Sequence, residues 1–333
     1  MKRCVNCILP ETFPGISFNE DGICSFCLKS RPDEKDQNLR KKYKVKFQEL
    51  ISQKAGKGDY DVIMAYSGGK DSTYTLYLFR EIYKLDVLAM TFDNGFISEA
   101  AFKNIQKICE RLKIDSLIVR PDPNMLRKIF RTASEKELYS SKTLERASTI
   151  CTSCIGLVKF IVLKTAIEKD IPFVGFGWSP GQAPIKSSVM RTNPVFIKAA
   201  QEQLYKPLKE IAGEKIRRFF LSDKHFSQKG RFPWNIHPLA FEEYNEKKIL
   251  DKNITLGWKR PKDTDPNSSN CLLNAFANYI HRQRYRFHPY VWEIANMVRQ
   301  GIMTREEGLE KIEPPENENM VRYCKKRLWS EPS

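Results

Sequence analysis

The stretch "DVIMAYSGGKDSTYTLYLFREIYK" (61–84) decides the fold. "DVIMAY" (61–66) is an apolar run of strand length, and "STYTLYLFREIYK" (72–84) reads as a helix. Between them, Gly68 and Gly69 let the backbone approach a ligand, with the amides from Gly69 to Ser72 pointing at it. A helix start adds positive potential, and Lys70 adds a full charge. An anion cradle is expected, and it is not the GxxxxGK[ST] loop, which the chain lacks. Outward from this stretch the pattern repeats. "LDVLAMTFD" (85–93), "SLIVR" (116–120) and "IPFVGFG" (171–177) read as strands, and "SEAAFKNIQKICERLK" (98–113) and "IGLVKFIVLKTAIEK" (155–169) as helices. Strands alternating with helices predict βαβ units in a parallel sheet, an α/β fold with helices on both faces. Such sheets bind ligands at the carboxyl ends of their strands.

The chain has 333 residues, 41% of them hydrophobic and 29% charged, which suffices for a core and excludes global disorder. No apolar run reads as approaching the roughly 20 residues of a membrane span, and no cleavable signal opens the sequence. A cytoplasmic protein is expected, with its nine cysteines as thiols or metal ligands. The net charge of +16 suits a polyanion such as RNA, a nucleotide or an acidic partner, and equally a solvated Lys-rich surface. "HRQRYRFHPY" (281–290) and "EKIRRFFLSDKHF" (214–226) mix arginines with aromatics, as an RNA-facing surface would. The four histidines form no HxxxH or HExxH pattern; His281 and His288 are expected in the core or in solvent.

Cysteines carry the second signal. Cys4-x2-Cys7 and Cys24-x2-Cys27, 16 residues apart, supply four thiolates for a structural Zn²⁺ ribbon. In "STICTSCIGLVKF" (148–160), Cys151 and Cys154 stand at the start of an apolar helix. Three readings are open. The pair packs in the core; or it is a redox or persulfide pair activated by the helix start; or it joins Cys271, at the start of "CLLNAFANY", in holding a [4Fe–4S] cluster with one iron free. Cys109 is expected in the core, and Cys324 has no assignment.

Ser67-Gly68-Gly69-Lys70-Asp71-Ser72 resembles the SGGxDS signature of the PP-loop ATP pyrophosphatases. The resemblance implies that ATP is split to AMP and pyrophosphate as a substrate oxygen is adenylated, after which nitrogen or sulfur displaces AMP. It implies that Ser67, Gly68, Gly69, Lys70 and Ser72 hold phosphates and that Asp71 places Mg²⁺. Thr91 to Gly95, with Phe92 and Asp93, would line adenine and ribose, and Gly175 to Gly177 would close the other side. "CTSCIGLVKF" also resembles a segment of the cluster-dependent PP-loop thiolases that modify tRNA. The chain departs from them in having "GFGWSPGQAP" (175–184) after the fourth strand and no second zinc module. "RCVNCILPETFPGISFNEDGICSFC" (3–27) and "MVRQGIMTREEGLEKI" (297–312) are similar to the ends of N-acetyl sugar amidotransferases, which take ammonia from a separate glutaminase.

The expected organisation is a zinc ribbon (1–30), a charged helical linker (31–58), an ATP-binding domain (59–200) and a mainly helical region (201–333). The expected function is adenylation followed by sulfur transfer, with Lys70, Asp71, Cys151, Cys154 and Cys271 as its chemical residues. Trp178, Gln182, Lys186 and Arg191 are expected to meet an anionic substrate: tRNA, a nucleotide-linked sugar or a small molecule. A sulfur donor or a glutaminase would be the partner, and a homodimer is allowed. The alternatives are sugar amidation and a non-catalytic zinc-ribbon RNA-binding protein.

Overall fold

A computed structural model describes residues 1–30, 34–265 and 268–330. Residues 31–33 of the expected linker, and 266–267 and 331–333 of the C-terminal region, lie outside the described residues. Six strands form one sheet: β1 (Val62–Ala65), β2 (Val87–Phe92), β3 (Asp115–Val119), β4 (Phe173–Phe176), β5 (Val189–Arg191) and β6 (Trp234–Ile236). Their order is β3-β2-β1-β4-β6-β5, and every pair is parallel except β5 with β6. The chain runs outward from β1 through β2 to β3 and then restarts on the other side at β4. The crevice between the carboxyl ends of β1 and β4 is therefore the switch point where such a sheet binds its ligand.

Both faces of β1, β2 and β4 are covered, as their apolar residues require, while the edge strand β3 is largely exposed. Val62, Met64, Val87, Ala89 and Phe173 pack on one side against Phe47, Leu76, Phe79, Ile105 and Ile108. Ile63, Leu88, Met90, Val174 and Phe176 face the other way, onto Val162 and Ala166 of the Thr149–Glu168 helix. The Glu34–Lys54 helix, from the stretch expected to link two units, buries Phe47 among the rings of Phe79, Tyr83, Phe173 and Phe241. The helix read over 72–84 is an α-helix from Lys70 to Tyr77 that widens into a π-turn at Leu78–Ile82. That turn carries Phe79 beneath β4: a Cβ on Gly175 would lie 2.4 Å from its ring.

The Thr149–Glu168 helix corrects the expectation that no apolar run reaches membrane length. It has 20 residues, and its most apolar 18-residue window has a mean hydropathy of 1.8, yet half of that window is buried inside the protein. It packs between the sheet and the Pro123–Glu135 and Leu273–Tyr285 helices, which accounts for its apolar character.

The sheet continues past residue 200, since β6 lies at 234–236 and the Pro194–Ala212 helix spans that position. Beyond it come the Leu273–Tyr285, Val291–Arg299, Arg305–Ile312 and Glu318–Trp329 helices. Thr304 and Glu307 form a capping box at the start of the Arg305–Ile312 helix. The cysteine-rich N-terminus packs on the Val291–Arg299 helix, where Phe13 stacks on Trp292 at 5.4 Å and Cys4, Cys7, Ile8 and Phe13 share a core with Val291 and Ile294.

Candidate functional site

At the carboxyl end of β1 the chain turns through Ser67 and Gly68 into the helix starting at Lys70. Gly68 has φ +77°, and a Cβ there would lie 2.8 Å from the Ala101 carbonyl, so only glycine fits. Ser67 Oγ is 3.1 Å from Ser72 Oγ, and the Ser72 hydroxyl donates to Gly69 O at 3.0 Å, which closes the turn. Gly177, after β4, meets the same turn: a Cβ would lie 2.6 Å from Ser72 Cα and 2.7 Å from Ser72 N. Its glycine is thus needed for packing against the loop as well as for room in the crevice.

Lys70 Nζ donates to both Asp71 oxygens at 2.9 Å and to the Tyr244 hydroxyl at 2.9 Å, with Glu246 at 3.9 Å. Burial alone would lower its pKa, but the charge of Asp71, with Tyr244 and Glu246, more than offsets that and holds the ammonium above its usual value. The later part of the chain clamps the loop. Trp258 Nε1 donates to Gly68 O and Asn253 Nδ2 to Lys70 O, both at 2.8 Å, and the Lys70 amide donates to Ser269 Oγ at 3.0 Å.

Ser269 leads into Cys271. Ser98 N donates to Asn270 O and Leu272 N to Phe96 O, so a one-residue bridge between Ile97 and Cys271 ties that cysteine to the loop after β2. Cys151 and Cys154 occupy the first turns of the Thr149–Glu168 helix, capped by Ser148 accepting from Cys151 N at 3.1 Å. The three thiols converge. Asn94 Nδ2 donates to Cys154 Sγ at 3.5 Å and to Cys271 Sγ at 3.6 Å, and Asn274 Nδ2 lies 3.9 Å from Cys151 Sγ. Burial pushes Cys151 up to about 11 and raises Cys154 and Cys271 as well.

Loop and thiols line one cavity of about 370 Å³. Its wall includes Ser67, Gly69, Lys70, Asp71, Ser72, Phe92, Cys151, Cys154, Gly177, Trp178, Gln182 and Cys271, all singled out by sequence. Gly68 lies behind the loop, while Asp93 is off the wall and accepts from Arg120 Nε at 2.6 Å. Lys186 and Arg191 are exposed near and on the edge strand β5 and do not line the cavity. Trp178 is engaged within the protein, with Lys159 Nζ 4.4 Å over its ring and Phe176 and His237 stacked at 4.9 and 4.6 Å. Burial, then Arg146, lowers the Lys159 ammonium to about 8.

Tyr244, Glu246, Arg260, Asn274, Glu293 and Lys311 also line the cavity and were not singled out by sequence. They come from the less regular part of the chain, where only the spacing of Asn274 from Cys271 offered a signal.

The four N-terminal cysteines keep their sulfurs within 4.8 Å of one another. Cys4 to Cys27 and Cys7 to Cys24 are both 3.8 Å, the edge of a tetrahedron with metal–sulfur bonds of about 2.3 Å. Cys7 N and Cys24 N point at Cys4 Sγ, and Cys27 N at Cys24 Sγ. These residues fit a single tetrahedral ion. Of the other cysteines, Cys109 is in the core, and Cys324 donates to Leu272 O at 3.2 Å, bracing the backbone beside Cys271. His281 and His288 are buried.

Fold and site together define an α/β protein with a phosphate-shaped glycine loop at its switch point and a thiol trio on the wall of the same cavity. No family model matches the chain. The uncharacterized protein MJ1599 of Methanocaldococcus jannaschii is 24% identical over 314 residues, 94% of each chain. Among solved structures, the U34-tRNA thiolase NcsA from Methanococcus maripaludis with its [4Fe-4S] cluster aligns over 100% of this chain and 99% of its own, at 18% identity and a TM-score of 0.37. NMN synthetase from Francisella tularensis aligns over 88% and 98%, at 11% identity and a TM-score of 0.40. The NH3-dependent NAD synthetase from Campylobacter jejuni aligns over 70% and 99%, at 14% and 0.32. All three superpose loosely, and the chemistry of the site is carried by its own residues.

Proposed function

We propose that this chain is a PP-loop ATP pyrophosphatase that adenylates a substrate oxygen and then replaces it with sulfur, using a [4Fe–4S] cluster held by Cys151, Cys154 and Cys271. One observation carries the reading: the SGGKDS loop and the three thiols line a single cavity. The amides at the start of the Lys70–Tyr77 helix and the Lys70 ammonium would stabilise charge developing on pyrophosphate, and Asp71 would place Mg²⁺. Lys70 would exchange Asp71 and Tyr244 for phosphate oxygens. A cluster with three cysteine ligands leaves one iron available to hold a sulfur atom. Asn94 and Asn274 supply N–H groups toward its sulfurs, a feature that tunes such centres. The four N-terminal cysteines would hold Zn²⁺, saturated and structural.

The test is ATP cleavage by anaerobically prepared protein with Mg²⁺, unfractionated tRNA and sodium sulfide. AMP and pyrophosphate should form; Lys70→Ala should abolish both, and Cys151→Ala should abolish the sulfide-dependent release of AMP. ADP as product, or cleavage indifferent to Lys70→Ala, overturns the reading. Amidation is the second reading. It is supported by the contact between the two stretches that resemble sugar amidotransferases: Arg305 Nε donates to the Cys4 and Cys7 carbonyls, and Arg299 Nη1 lies 3.4 Å from Cys7 Sγ. Ammonium replacing sulfide, with Cys151→Ala still active, would select it.

A further inference from the structure

The Val291–Arg299 helix places one carboxyl group in the cavity wall, and neither the phosphate loop nor the thiol trio gives it a task. Glu293 Oε1 accepts from Ser179 Oγ at 2.6 Å. Ser179 is 1% exposed, and its own N–H donates to Gln182 Oε1 at 3.1 Å. A buried serine on the loop after β4 therefore fixes the carboxyl. The charged groups acting on Glu293 are Asp71 and Lys70 at the glycine loop, and Glu293 in turn acts on Tyr290, the N-cap of its helix. Tyr290 in turn accepts from Asn274 Nδ2 at 2.9 Å, and that amide also approaches Cys151. Glu293 thus shares one cavity wall with the phosphate loop and the thiols. Among the described residues it has no ion pair. Burial pushes its carboxyl up to about 7; the Ser179 hydrogen bond opposes this and the charge of Asp71 adds to it. A carboxyl titrating near neutrality at a fixed place in a reaction cavity is suited to proton transfer.

We propose that Glu293 is the proton acceptor of the displacement step, taking the proton that the incoming nucleophile loses. This rests on the adenylation and sulfur-transfer reading. The nucleophile enters as hydrosulfide or a thiol. Its sulfur forms a bond to the activated carbon, and the bond from that carbon to the AMP oxygen breaks. The oxygen keeps the electron pair and leaves on AMP, while the S–H proton passes to the Glu293 carboxylate. Nothing is oxidised or reduced.

The test uses the anaerobic holoenzyme with ATP, Mg²⁺, unfractionated tRNA and sodium sulfide, timing pyrophosphate release and sulfide-dependent AMP release separately on both sides of pH 7. Glu293→Gln keeps an oxygen for the Ser179 hydroxyl, so a purely structural carboxyl would tolerate it. The expected result is unchanged pyrophosphate release, AMP release down by roughly 10²-fold or more, and loss of the wild-type rise in rate through pH 7. Glu293→Asp should keep that rise at a lower rate. Unchanged AMP release in Glu293→Gln, or an equal fall in both phases, overturns the proposal. Failure of wild type to release pyrophosphate is a separate result, which overturns the adenylation reading and the Glu293 proposal with it.

Discussion

Lys70 and Glu293 mark the two electrostatic extremes of the cavity, a cation held charged by its neighbours and an acid held near neutrality. Glu293 makes stability depend on pH. Its ordinary value is 4.5 and its folded value about 7, so between these the unfolded chain releases a proton that the folded chain keeps. Stability from this group therefore falls as pH rises through that window, by no more than about 3 kcal/mol. Glu293→Gln should accordingly gain urea resistance over wild type above pH 7 and show no gain near pH 4. Gly68→Ala should cost about 1–3 kcal/mol, because the residue has positive φ and faces the Ala101 carbonyl; a thermal melt checks it. Lys70 and Asp71 were legible because their meaning lies in a contiguous motif. Glu293 was not, since nothing beside it in sequence signals a cavity that forms only when Ser179 and the phosphate loop fold against it.

Strands of four to six apolar residues bounded by polar ones, β1, β2 and β4, are legible in the chain. β5 and β6, three residues each, carry too little pattern to register, and β6 finds its place only by pairing with β4. The thiol trio was legible as a set of residue types, but the bridge that delivers Cys271 to Ile97 is tertiary. Lys186 and Arg191, read with the substrate loop, are exposed and off the cavity wall. At this scale Gly177→Ala is informative. The end of β4 would press on the Ser72 backbone, so nucleotide affinity should fall by about tenfold, by titration calorimetry with ATP, while the melting temperature moves less.

The N-terminal cysteines, the Val291–Arg299 helix and the 178–182 loop form one mechanical series. Arg299 meets Cys7, Trp292 stacks on Phe13, and Asn296 Nδ2 donates to Gly181 O at 3.0 Å. If the four N-terminal cysteines hold Zn²⁺ as proposed, a strong chelator should lower the melting temperature by roughly 5 °C or more. The charge of +16 fits an anionic substrate at this scale. The proposed function requires that two distant cysteine segments and the phosphate loop build one reaction chamber with a cluster in its wall. The most direct test is to quantify iron and acid-labile sulfide in the anaerobically purified protein, beside Cys271→Ala. About four irons with matching sulfide per chain are expected, lost in the variant while a single zinc remains. Zinc alone in wild type, after reconstitution under strict anaerobiosis, would contradict it.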